Sequence, residues 1–297
     1  MANNTTAPRK RRFGDRKDGR LVRTIGSFYR FIPFVMKTRN DATNFYTDKL
    51  DITQAEVFLR DLRQQGYKNI GILHLFLAAY VRCVSIMPAL NRFIAGQRIF
   101  ARNKIEICMI VKKKLSTESG ETSIRVIFEP TDTILDVYNK INVEIEKIKE
   151  DSGTNNTEDV TIALMKLPRL VLKFVMRVLC FLDYFGKLPY AITSASPFHA
   201  SLVISDLGSI GINKIYHHLY DFGNLPVFIA FGRKYRSWVL DSNGTPTEKR
   251  YVDYGVSTDE RICDGYYYAL SFRYMNHFMH HPEKLLEQPD TVKEDVD

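Results

Sequence analysis

Residues 251–287 read YVDYGVSTDERICDGYYYALSFRYMNHFMHHPEKLLE, and residues 192–212 read ITSASPFHASLVISDLGSIGI. In the first stretch an apolar strand (251–258) runs into the charged turn TDERICDG. Gly265 then opens a helix with Ala269, Phe272, Met275 and Met279 on one face. A polar turn between an apolar strand and an apolar helix is a common place to present a reactive side chain. Further strands are expected near 200–206, 226–232 and 236–241. Working back toward the start, Thr53-Gln54-Ala55-Glu56 has the form of a capping box, and Phe58 and Leu62 follow at helical spacing before Gly66. A second helix is expected from about Ile72 to Met87, stopped by Pro88. Ile105, Ile107, Met109 and Val111 alternate, as do Ile124, Val126 and Phe128, which predicts two strands joined by a turn around Gly120. Ile134, Tyr138, Ile141, Ile145 and Ile148 mark a long amphipathic helix, and 151–159 reads as a polar loop. Hairpins and helices alternate irregularly, without repeats or a linker. The expectation is a single α/β domain with mixed or antiparallel strands.

At 297 residues, with 45% hydrophobic and 12% aromatic content, the chain can bury a sizeable core, which excludes intrinsic disorder and collagen-like repeats. The formal charge of +8 raises the question of a nucleic-acid partner. Its location answers that question. Residues 1–23 carry eight Lys/Arg against Asp15 and Asp18, and 287–297 hold five acids against Lys293. The intervening domain is near neutral, so no nucleic acid is expected. Residues 1–20 read as a basic, disordered leader, 21–287 as the domain and 288–297 as an acidic tail. No apolar run follows the N-terminal charges, which excludes a secretory signal. Cys83, Cys108, Cys180 and Cys263 lie far apart with no CxxC pair, so neither a zinc ribbon nor a disulfide framework is expected, and the setting is cytoplasmic. His277 and His281 have a spacing that can bind a metal, but no further ligand completes a set, so no metal is expected.

Residues 164–185, LMKLPRLVLKFVMRVLCFLDYF, are apolar apart from Lys166, Arg169, Lys173, Arg177 and Asp183. Five charges exclude a spanning helix. A core or subunit-interface helix with its basic stripe toward water is the preferred reading, and a helix lying on a membrane surface is the other.

The two opening stretches resemble the catalytic domain of dihydrolipoamide acyltransferases, the cores of 2-oxo-acid dehydrogenase complexes, and the related chloramphenicol acetyltransferases. The family signature His-x-x-x-Asp-Gly, often DHRxxDG, matches Asp259-Glu260-Arg261-Ile262-Cys263-Asp264-Gly265. Val203-Ile204-Ser205-Asp206-Leu207-Gly208 is similar to the TISNLG strand, Ser194-Ala195-Ser196-Pro197-Phe198 to SANPW, and Gly186-Lys187-Leu188 to a GKL before the strand. Phe31-Ile32-Pro33-Phe34 and the helices at 53–66 and 72–87 follow the same order. The resemblance spans roughly 20–287. It implies a chloramphenicol-acetyltransferase-like mixed β-sheet with flanking helices in one domain. It also implies a homotrimer, alone or as the unit of a larger assembly, with sites at subunit interfaces that use coenzyme A or acyl-CoA as substrate. In the family a histidine deprotonates the acceptor and a serine hydrogen-bonds the oxyanion. By position, Ser205 matches that serine, with Ser201 as runner-up. Asp264 matches the structural Asp/Asn, and Arg261 the arginine beside the histidine.

Glu260 stands where the family has its histidine. An ordinary glutamate titrates about four pH units below a thiol, so deprotonating a thiol would be uphill by about 5.7 kcal/mol, and burial would recover part of this. Three expectations stay open. Glu260 is the base for an unusual acceptor; His199, His217 or His218 has taken the role; or the site is inactive and the trimer is a binding or assembly module. The leading functional expectation is a free-standing acyltransferase that moves an acyl group from acyl-CoA to a small hydroxyl, amine or thiol. Glu260, Ser205, Asp264 and Arg261 would be its site residues. No lipoyl domain is evident, which argues against the ordinary role in a dehydrogenase complex.

Overall fold

The computed structural model describes residues 10–112, 121–150 and 156–296. In chain order the elements are β1 (Gly19–Leu21), α1 (Ser27–Val35), β2 (Thr43–Asp51), α2 (Thr53–Gln64), α3 (Ile72–Ile86), β3 (Arg92–Ala95), β4 (Arg98–Arg102), β5 (Ile105–Lys112), β6 (Glu121–Phe128), α4 (Ile134–Glu150), α5 (Asn156–Met165), α6 (Arg169–Tyr184), α7 (Tyr190–Ala195), β7 (Leu202–Asp206), β8 (Val227–Leu240), β9 (Pro246–Asp259) and α8 (Gly265–His280). A six-stranded sheet runs β2-β9-β8-β7-β5-β6, and a three-stranded sheet runs β1-β4-β3. β7 pairs parallel to both β5 and β8, and the other pairings are antiparallel. The expected mixed sheet with flanking helices is the observed architecture.

α3 is apolar on every side except at His74 and Arg82, and it is buried nearly throughout. Phe76 stacks on Phe231 of β8 at 4.7 Å between ring centroids and meets Tyr254 of β9 edge-on at 5.6 Å. α3, α4 and α8 share one core with the helix-facing side of the sheet. The two-residue period of a strand sorts β7 cleanly. Leu202 and Ile204 enter that core, whereas Val203 joins Phe228, Ala230, Leu219 and Leu225 on the other face. The connection after β7 lies directly on this second face. A Cβ at Gly232 would stand 2.4 Å from the Lys214 nitrogen, so only glycine permits the approach.

Several expectations need correction. The strands read at 226–232 and 236–241 are one strand, β8, with an irregularity between Phe231 and Lys234. Beyond it, β8 and β9 continue as a two-stranded hairpin that leaves Trp238 68% exposed. The capping box at 53–56 does not form. The Thr53 hydroxyl accepts from the Arg250 N–H (3.0 Å), the Asp51 carboxylate accepts from the Thr53 N–H (3.0 Å), and Glu56 pairs with Lys234 and Arg250. The polar loop is shorter than 151–159, because α5 starts at Asn156. The turn around Gly120 lies outside the described residues.

Nor is the end of the 1–20 stretch a free leader. Arg16 is buried and ion-paired to Asp183 (2.7 Å) and Asp18 (2.9 Å), and Gly19 and Arg20 begin β1. The acidic tail is also anchored, with Asp295 in a bidentate pair with Arg92 and its carbonyl accepting from Arg20. Finally, α6 is not a core helix, since Asp183 is its one buried residue. Among the described residues no helix is long and apolar enough to cross a membrane.

Candidate functional site

The DERICDG turn is held by a buried ion cluster centred on Asp259. Asp259 ends β9 fully buried and accepts two hydrogen bonds from Arg261, Nε to Oδ1 and Nη2 to Oδ2, both 2.7 Å. Arg39, in the loop before β2, brings its Nε to 3.4 Å from the same carboxylate. Burial pushes the Arg39 guanidinium below the usual arginine range; Asp259 opposes this and Arg261 adds to it. Arg261 also donates to the Met36 carbonyl (2.9 Å), and the Arg39 and Asn40 N–H groups donate to Asp221 (2.9 and 3.1 Å). One carboxylate thus ties the end of β9 to the loop before β2, while the Arg39 backbone carries the tie on to the loop at 220–223. A cavity of about 380 Å³ opens beside the cluster, lined by Lys37, Arg39, Gln97, Asp183, Tyr184 and Arg261 among others.

Glu260 is half-buried, and its N–H donates to the Ala42 carbonyl (2.9 Å). Among the described residues, no side chain or backbone group hydrogen-bonds its carboxylate. Asp264 is exposed and is not in the ionic cluster. It caps α8, accepting from the Tyr267 N–H at 2.7 Å. Arg261 therefore pairs with Asp259 and not with Asp264. Of the three tyrosines that begin α8, Tyr268 donates to the Asp259 carbonyl (2.8 Å) and Tyr267 accepts from the Ala89 N–H (3.0 Å), while Tyr266 faces solvent.

Ser205 lies on β7, away from this turn. It is level with Ala230 on β8 and Gly255 on β9. Glu260 is five residues farther along β9, about 16 Å at the usual rise per residue, so one chain does not bring the two together. The Ser205 hydroxyl is half-buried and makes no hydrogen bond among the described residues. The next residue, Asp206, has its carboxyl raised by burial while it accepts from the Ser209 N–H (3.0 Å). Ser201 is level with Asp259 but fully buried and already engaged, accepting from the Glu106 N–H (2.9 Å) and donating to the Lys104 carbonyl (3.3 Å).

Of the alternative histidines, His199 and His217 are held in structural positions, and His218 is exposed, its ring 4.9 Å from that of His217. His199 is 1% exposed, with Nδ1 2.8 Å from the Ser196 hydroxyl and Nε2 3.4 Å from Asp183. Burial pushes its imidazole below the ordinary range against the pull of Asp183, so it stays neutral at pH 7. His217 stacks flat on Phe228 at 4.0 Å, and its carbonyl accepts from Ser257. His277 lies 2.9 Å from Lys284 Nζ. Among the described residues no group of three or more His, Cys, Asp or Glu could hold a metal ion.

Arg39 and Asp259 were not among the candidates from sequence. Asp259 was visible in the DERICDG motif, but nothing local marks Arg39, 220 residues away.

The fold has known counterparts. A probable dihydrolipoamide acetyltransferase from Listeria monocytogenes superposes with a TM-score of 0.54 at 14% identity, over 91% of this chain and 97% of the other. A truncated catalytic core of the 2-oxoacid dehydrogenase multienzyme complex from Thermoplasma acidophilum gives 0.53 at 11%, over 88% and 98%. A chloramphenicol acetyltransferase gives 0.50 at 13%, over 84% and 93%. No family model and no curated protein matches the sequence. The chain thus shares its fold with these acyltransferase structures.

Proposed function

We propose that the chain is the subunit of a homo-oligomer, a trimer by the resemblance, that transfers an acyl group from acyl-CoA to a small acceptor. The observation that carries this reading is the division of the site. A free serine hydroxyl level with the middle of β9 and the family-position carboxylate just past its end stand about five residues apart along the strands, which suits a site completed by a neighbouring copy. In this mechanism the acceptor atom bonds to the thioester carbonyl carbon and its proton passes to Glu260 of one copy. The carbonyl oxygen, now an oxyanion, accepts a hydrogen bond from Ser205 of the neighbour. Collapse expels the CoA thiolate, which takes the proton back and restores the carboxylate. Asp259, Arg39 and Arg261 hold the turn in place, and Asp264 fixes the start of α8 behind it.

A carboxylate suits a hydroxyl or amine acceptor, because the attacking atom becomes strongly acidic as its bond to carbon forms. A thiol that must ionise first is a poorer match. A reducing, cytoplasmic setting suits four free cysteines. One observation favours a second reading, a non-catalytic binding or assembly module. No group among the described residues orients Glu260, and a general base is ordinarily oriented by a partner.

The test is thiol release from acyl-CoAs against hydroxyl, amine and thiol acceptors. Glu260→Gln and Ser205→Ala should each lower turnover at least about a hundredfold. Co-assembled mixtures of the two variants should regain about a quarter of wild-type activity, because one interface in four then joins an intact Glu260 to an intact Ser205. Wild-type protein inactive toward every acceptor would leave the binding module as the reading. Turnover indifferent to Glu260→Gln would remove Glu260 as the base.

A further inference from the structure

α6 divides into three faces at 100° per residue. Leu172, Val175, Leu179 and Asp183 are half-buried or buried and turn toward the body of the protein. Leu170, Phe174, Phe181 and Phe185, just past the helix end, are 80, 67, 64 and 57% exposed and fall on one stripe directed away from it. Arg169, Lys173 and Arg177 form a second stripe about 90° from the aromatic one. None of these three cations, nor Lys166 just ahead of the helix, has an ion pair or hydrogen bond among the described residues. α1 repeats the composition, with Phe28, Phe31 and Phe34 69, 59 and 51% exposed beside Arg30 and Lys37. The C-terminal ends of both helices flank the β3–β4 turn, where the Tyr184 hydroxyl donates to Gln97 (3.1 Å) and Lys37 lines the same cavity as Tyr184.

Charge selects the occupant of this surface. Residues 19–40 contain no Asp or Glu, and residues 160–190 contain only Asp183, which is buried against Arg16. Two copies meeting through this face would set cation against cation. An anionic bilayer offers acyl chains to the aromatic stripe and phosphates to the basic one, the arrangement of helices that lie in a membrane interface.

We propose that α6, together with the exposed face of α1, docks the protein on the surface of an anionic membrane. This surface lies outside the acyl-transfer residues and stands whether or not the chain is catalytic. Each stripe cation contributes roughly fivefold to binding, and the attraction falls with salt.

The test is co-sedimentation of the full chain with vesicles of phosphatidylcholine alone and with about 30% phosphatidylglycerol, alongside oligomer mass by light scattering. Wild type is expected to sediment only with the anionic vesicles and to be released by salt. Lys173→Glu/Arg177→Glu should weaken binding at least about twentyfold, and Phe174→Ser/Phe181→Ser at least about tenfold, with oligomer mass unchanged. Failure of wild type to bind anionic vesicles would overturn the proposal, as would binding indifferent to both variants. A lower oligomer mass in Phe174→Ser/Phe181→Ser would overturn it by making the stripe a subunit interface.

Discussion

α3 and α6 are of nearly equal length and similarly apolar, yet one is enclosed and the other stands at the surface. α3 carries polar side chains that the fold can absorb: His74 accepts the Gly71 N–H at 3.2 Å, Arg82 donates to the Lys284 carbonyl at 3.1 Å, and Ser85 donates to the Arg82 carbonyl at 2.7 Å. α6 carries three basic residues between 169 and 177, four apart, and no interior can match a row of cations on one face. Its single acid, Asp183, fixes it to the body through Arg16 and His199. Apolar content alone therefore does not decide burial. The number and spacing of the charges do.

The comparison breaks most visibly at Phe76. Its replacement by Ala leaves a hole between α3 and the sheet and should cost about 4 kcal/mol, read from urea unfolding followed by circular dichroism. Next comes acid. Burial lowers the His74 imidazole to about 4, so the unfolded chain takes up a proton that the folded one refuses. Stability should fall as pH drops from 6.5 toward 4, by about 3 kcal/mol at most, and His74→Gln should flatten that window. α6 makes its own loss lower down. Burial alone would raise the Asp183 carboxyl, but His199 and Arg16 bring it to about 2, so its contribution is full above its ordinary value of 3.8 and disappears as pH falls toward 2. Asp183→Asn should remove about 2 kcal/mol at pH 7 and erase the lower window. The smallest effect belongs to the outward stripe of the same helix. Phe181→Ala should leave the stability of the free chain within about 0.5 kcal/mol, and a larger loss would mean that α6 is packed more tightly than its exposure indicates.

The same contrast separates what was legible in the sequence from what was not. α4, α8 and the pair β5–β6 were readable because a period of 3.6 or 2 reflects a face buried within one chain, and α3 because an apolar run of helical length stops at Pro88. β2 was not, because it is an edge strand with one buried residue and reads TNFYTDKLD. α1 was visible only through resemblance, as its aromatic face stands exposed and Pro33 interrupts the pattern. The candidate site divides likewise. Asp264 caps α8 and Ser205 lies on β7, but the pairing of Asp259 with Arg39 joins segments 220 residues apart and leaves no local trace. In sequence Arg16 reads as part of a basic leader, because charge composition cannot reveal a carboxylate waiting 167 residues away.

The hairpin formed by the outer halves of β8 and β9 carries Trp238, the only tryptophan of the chain. The protein thus holds an intrinsic optical label on its outermost element and none in its core. Indole emission will be red and easily quenched in a free subunit, and it will report whatever covers the hairpin, while the unfolding of the interior goes unseen at that wavelength.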